Sequence, residues 1–175
     1  MQILDLEKLV HAVISNRLDY CNCLFVNMCK DDLYKLQKVQ NSAARLILMR
    51  RRRDSATQAL RQLHWLNIET RITFKILLLV HKVIREKCSK NLTVTYKTFN
   101  GRPDDMLLLE TPTYKTKYGK RLFAYNGPRL WNVLPVGIRT EEDTDKYKKM
   151  LKTRCSMDMM NSNKEHSNTT IELNY

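Results

Sequence analysis

Residues 32–50 read DLYKLQKVQNSAARLILMR, and their spacing decides the fold class. Stepping 100° per residue from Leu33 puts Leu33, Leu36, Val39, Ala43, Ala44, Leu46 and Ile47 in an arc of roughly 160°. Lys35, Lys38, Arg45 and Arg52 gather in roughly 100° on the other side. No Gly or Pro interrupts the run. The pattern predicts a helix over about 32–50, capped by Asp31 or Asp32, with one packed face and one basic stripe. Arg50, Arg51, Arg52 and Arg53 are expected to close it, where cations favour the negative end of the helix dipole. Ala43 and Ala44 permit a close neighbour. The expected neighbour is a helix over about 70–86, met through Leu36, Val39, Ala43, Ile76, Leu79 and Val83.

Helical spacing recurs on both sides of this stretch. Leu6, Leu9, Val10, Val13 and Ile14 predict a helix over about 3–15. Residues 18–27 read equally as its continuation or as an irregular packed segment. Ser55 with Gln58 is a capping-box pattern that opens a short helix to about Leu63. His64-Trp65-Leu66-Asn67 reads as a corner. Thr70 then begins a helix whose apolar residues cover most of the wheel, as in a central helix. Beyond Cys88 the character changes. Thr93 to Tyr96 alternates like a short strand, and 99–121 reads as an irregular connection. Pro128 suits the first turn of a short helix over about 128–134, ended by Pro135. A last helix is expected over about 144–154, with Tyr147, Met150 and Leu151 inward. The polar, aperiodic residues 156–175 read as a disordered tail. The expected fold is mainly α: a small helical bundle over 1–90, then a connection with short helices over 91–155, then the tail.

Composition narrows the function. In 175 residues there are only four Gly and four Pro, and neither a G-x-G-x-x-G nor a G-K-[ST] motif occurs. That opposes a nucleotide-binding α/β fold. No apolar run approaches membrane-spanning length. Acidic Asp5 and Glu7 without a basic leader argue against a secretory signal, so a cytoplasmic or nuclear location is expected. The net charge is +13. Residues 1–29 carry two basic and three acidic side chains, residues 30–90 fifteen and five, and residues 91–175 fourteen and ten. The excess is concentrated in one stretch, as for a surface that meets polyphosphate or anionic lipid; a solvated basic face is the plainer alternative. Five cysteines are an odd number, which fits a reduced compartment better than a disulfide framework. Cys21, Cys23 and Cys29 with His11 match no usual zinc spacing.

Several blocks carry a family resemblance. Ser15 to Asn22 (SNRLDYCN), Leu36 to Leu46 (LQKVQNSAARL), Leu63-His64-Trp65-Leu66 and Arg71 to Leu78 (RITFKILL) come first. Gly119 to Phe123, Pro128 to Pro135 (PRLWNVLP) and Tyr147 to Thr153 (YKKMLKT) follow in order. Together they resemble the region after the polymerase core in non-LTR retrotransposon reverse transcriptases of the jockey-like, LINE-type group, over about residues 8–154. Asn67 stands where that family usually has a proline, and Asn126-Gly127 replaces a small apolar pair. The resemblance implies the thumb-side, C-terminal part of an RNA-directed DNA polymerase. The implied partners are RNA or an RNA–DNA duplex, held by its backbone, and the upstream polymerase palm of the parent protein.

Polymerisation requires carboxylates holding two metal ions about 4 Å apart. In reverse transcriptases two of these come from an [FY]-x-D-D turn. The adjacent aspartates Asp104-Asp105 follow Arg102-Pro103 and lack the aromatic, so they read as a solvated turn. No catalytic residue, metal ligand or cofactor is expected, and the chain is expected not to be an enzyme by itself. His64 and His81 read as packed residues, and Trp131 as a core anchor rather than a base-stacking platform. Lys35, Lys38, Arg45, Arg50, Arg51, Arg52 and Arg53 are the expected phosphate contacts, which position nucleic acid without reading its sequence. The alternative is a structural or protein–protein helical module whose basic face has no nucleic-acid role.

Overall fold

The computed structural model describes residues 3–85, 94–98, 101–102 and 107–169. Among these the chain is mainly helical, and no strand longer than a single bridge forms. It divides into two compact units, Met1–Ile72 and Thr73–Tyr175. The division falls inside a helix, where the sequence had placed it at about residue 90.

The first unit begins with α1 (Ile3–Val10), which runs through a π turn at His11–Ser15 into α2 (Asn16–Asp19). The amide of Asn16 donates to the carbonyl of His11, five residues back, so one wide turn carries the helix beyond its expected end. A 3-10 turn at Asn22–Phe25 follows, and left-handed residues Cys21 and Asn27 flank it. Next come α3 (Lys30–Ile47), α4 (Ala56–Gln62) and α5 (Ile68–Ile84), the last crossing from this unit into the second. Ser55 caps α4 as expected, its Oγ accepting from the Gln58 amide at 3.5 Å. For α5 the cap is Asn67, whose Oδ1 accepts from the Thr70 amide at 2.8 Å, so the helix starts two residues early. Arg71 grips Asp19 with two donors, the Nη2–Oδ2 contact measuring 2.8 Å.

On α3 the buried residues are Gln40, Ala43, Ala44 and Ile47, spaced three, one and three apart. They face α1 and α4, and Ala43, Ala44 and Ile47 join a core with Leu6, Val10, Ala59, Leu60 and Trp65. Val39 and Leu46, expected in the packed arc, are 47% and 51% exposed. The two glutamines account for the rotation. Gln40 Nε2 donates to the Leu66 carbonyl, and Gln37 Oε1 accepts from the Ile68 amide, both at 2.8 Å. A buried corner whose backbone needs partners is worth more to the fold than two marginal apolar side chains. This is also how α3 meets the first turn of α5; its buried face packs on α1 and α4.

The second unit holds the rest of α5, a 3-10 turn at Gly119–Arg121, α6 (Phe123–Asn132), α7 (Val136–Arg139) and α8 (Thr144–Thr169). Trp131 and Tyr147 are fully buried, and Tyr147 stacks on His81 with ring centroids 4.0 Å apart. The Trp131 indole donates to the Leu107 carbonyl at 2.8 Å, which makes it the core anchor expected. Asn126 is buried and donates to the Lys120 carbonyl at 2.7 Å. A Cβ at Gly127 would stand 3.0 Å from Val80 Cγ2, so the glycine lets α6 lie close on α5. Burial, with the Asp158 carboxylate beside it, pushes the Cys155 thiol up to about 11.

Four expectations need correction here. Pro128 lies in the interior of α6, which begins at Phe123, rather than in a first turn. Helix α8 continues to Thr169, so residues 156–169 are helical where a tail was expected. Met150 is partly exposed rather than inward. The strand around Tyr96 reduces to one antiparallel bridge with Leu109. Cys88, Thr93, Asp104 and Asp105 lie outside the described residues.

Candidate nucleic-acid interface

The basic run does not close α3. The helix stops at Ile47, Leu48 is the cap, and Met49 turns left-handed at φ 49°. The Arg50 amide then donates to the Arg45 carbonyl at 2.9 Å, and the Met49 amide to the Leu46 carbonyl at 3.2 Å. This pair of reversed bonds is a Schellman motif, which consumes helix-end carbonyls and folds the chain back over the last turn. The residues it juxtaposes ordinarily make an apolar contact. Here they are Arg45 and Arg50.

The turn that follows is pinned by Asp54. Its Oδ2 accepts from the Arg51 amide at 2.8 Å, and its own amide donates to the Arg51 carbonyl at 3.1 Å. Arg45 Nε donates to the Asp54 carbonyl at 3.0 Å. Arg50 reaches across to α4, where Gln58 Oε1 and Gln62 Oε1 accept from its guanidinium at 3.4 and 2.9 Å. These neutral acceptors hold Arg45 and Arg50 in place without cancelling their charge.

The result is an open groove of about 570 Å³ in the first unit. Four cations line it: Lys38 and Arg45 from α3, Arg50 and Arg52 from the turn. No carboxylate lines it among the described residues. Tyr34, Asn41, Ser42 and Leu46 complete its wall. On α3 the lining positions 34, 38, 41, 42 and 45 form the face opposite the buried one. An anion placed here meets several positive charges at once.

Of the seven expected phosphate contacts, the groove gathers Lys38, Arg45, Arg50 and Arg52 and leaves out Lys35, Arg51 and Arg53. Lys35 instead pairs with Asp32 at 2.9 Å on the surface. That hydrogen bond and charge hold the Lys35 ammonium above its ordinary range. Bonds from the Cys29 thiol and from Lys35 hold the Asp32 carboxyl below its own. A cation so paired offers less to a phosphate. Arg51 and Arg53 are exposed on the turn. Sequence reasoning missed Tyr34, Asn41, Ser42 and Leu46. Their four-and-three spacing with Lys38 and Arg45 was a usable signal, masked because they are not charged.

Of the other sequence candidates, His64 is exposed rather than packed, and Cys21 is exposed as well. His11 meets Trp65 edge to face, with ring centroids 5.4 Å apart. Cys29 donates to Asp32 at 2.9 Å. Among the described residues no three His, Cys, Asp or Glu side chains gather to hold a metal ion. No described helix is long and apolar enough to cross a membrane. No family model, curated protein or solved structure matches this chain.

Proposed function

We propose that this chain binds the phosphate backbone of RNA or DNA without sequence preference, as a non-catalytic, thumb-side helical part of a retrotransposon-type RNA-directed DNA polymerase. One observation carries the binding reading: Lys38, Arg45, Arg50 and Arg52 converge on one groove with no carboxylate among its lining residues. The order of the sequence blocks, from Ser15 to Thr153, supports the polymerase lineage. The binding reading stands without it.

Four phosphates neutralised together release roughly 0.9 counterions each, so the log–log salt slope on duplex should be about −3 to −4. Filter binding at several salt concentrations measures it. Replacing Lys38, Arg45 and Arg52 by Ala should flatten the slope by about three units, equally for unrelated sequences. Lys35→Ala should leave it nearly unchanged, because Lys35 lies outside the groove and is already paired. A wild-type affinity indifferent to salt would sink the reading and favour a protein-docking module. No template-directed nucleotide incorporation is expected with magnesium or manganese.

A further inference from the structure

The groove is not lined as a pure phosphate clamp. Tyr34 stands on its wall, 60% exposed, with the Lys38 ammonium 4.5 Å from the ring centroid. Leu46, half exposed, lines it as well, and Met49, beside it in the turn, is 69% exposed. Asn41 accepts from Gln37 Nε2 at 2.8 Å through its Oδ1, which leaves its Nδ2 donors for another partner. A ring face and an aliphatic side chain add nothing to the binding of phosphate alone, and an amide donor serves a phosphate or a base edge alike. They suit the face and the edge of a base.

The geometry points to an unpaired nucleotide as the occupant: a single-stranded stretch of RNA or DNA whose base stacks on Tyr34 while its flanking phosphates meet Lys38, Arg45, Arg50 and Arg52. This rests on the phosphate-binding reading of the same groove. In a duplex the base faces are already stacked on one another and only sugar, phosphate and groove edges are offered. Tyr34 and Leu46 would then face polar backbone. In a single strand the base faces are free, and stacking platforms beside a basic track are the usual means of holding them. Lys38 links the two parts. Its ammonium rests on the Tyr34 ring in the free protein, and an arriving phosphate offers it a stronger partner and uncovers the ring for the base. The volume fits as well: about 570 Å³ lies within the range of roughly 300–1,000 Å³ typical of small-molecule sites, which suits one nucleotide.

Fluorescence anisotropy with the full chain tests this. The probes are a mixed-sequence single-stranded RNA of roughly twelve nucleotides, DNA of the same sequence, and the blunt duplex. Tyr34→Ala should weaken binding of both single strands roughly tenfold and leave the duplex within about twofold. The salt slope should not change, because no charge is removed. Tyr34→Phe should retain wild-type affinity, since the ring is what stacks. Circular dichroism confirms folding, which an exposed side chain is not expected to disturb. An equal loss on single strand and duplex, no loss on either, or failure of Tyr34→Phe to rescue would overturn the inference while the phosphate reading stands. Binding without salt dependence in the wild type would overturn both.

Discussion

Helices α3 and α4 end in the same way and put different chemistry into the same joint. At the end of α3 the reversed bonds run from Arg50 to Arg45 and from Met49 to Leu46. At the end of α4 they run from Trp65 to Leu60 at 2.8 Å and from His64 to Arg61 at 3.0 Å. The left-handed residue is non-glycine in both, Met49 at φ 49° and His64 at φ 53°. Across the α4 joint, Leu60 and Trp65 are buried in the core of the first unit. Across the α3 joint, two arginines face a groove. One backbone device thus serves packing in one place and concentrates positive charge in the other. Where the apolar pair is replaced by charge, the joint lacks the core burial that Leu60 and Trp65 have at the other.

That contrast makes its own tests. The largest effect is expected at the apolar joint: Trp65→Ala should destabilise by about 3–5 kcal/mol, and Leu60→Ala by about 2–5, measured by urea unfolding. The double variant Arg45→Ala, Arg50→Ala should change stability by no more than about 1 kcal/mol each, while reducing the salt slope of nucleic-acid binding by about two units. If the arginine pair proved as costly to remove as the apolar one, the contrast would break. Met49→Gly and His64→Gly should each stabilise by about 1 kcal/mol in thermal melts, because both joints carry the same left-handed backbone. Equal gains would place the strain in the backbone and not in the residues across it. Ser55→Ala, at the start of α4, should cost the least, about 0.5–1 kcal/mol, since its capping bond is already 3.5 Å long.

The helices were legible in the sequence because burial repeats with their period. Five of the six expected helices begin within a few residues of where the apolar spacing put them, but the last runs to Thr169, fifteen residues beyond its expected end. The sixth, at Pro128, was started too late. A proline is best placed in a first turn, but α6 opens at Phe123, where the buried Asn126 and Gly127 already belong to the helix. Asn67 was read as part of a corner, and its role as the cap of α5 needed the Thr70 amide in view. The candidate site was half legible. Charge marked seven side chains, and the fold selects four of them and adds Tyr34, Asn41, Ser42 and Leu46.

The sequence by itself determined that this protein is helical, that its positive charge lies in the segment around α3, and which residue types could meet phosphate. Those properties depend on local spacing and composition, which the chain carries before it folds. Only the tertiary structure decided where α3 stops, which way its buried face turns, and which cations share a groove. The Met49 turn is the clearest case: nothing about a methionine announces a left-handed residue. It is imposed because the helix-end carbonyls need donors and because α4 and the turn after it must return Leu60 and Trp65 to the core. Arg50 is carried back to Arg45 as a consequence, and the groove exists because the chain had to turn there.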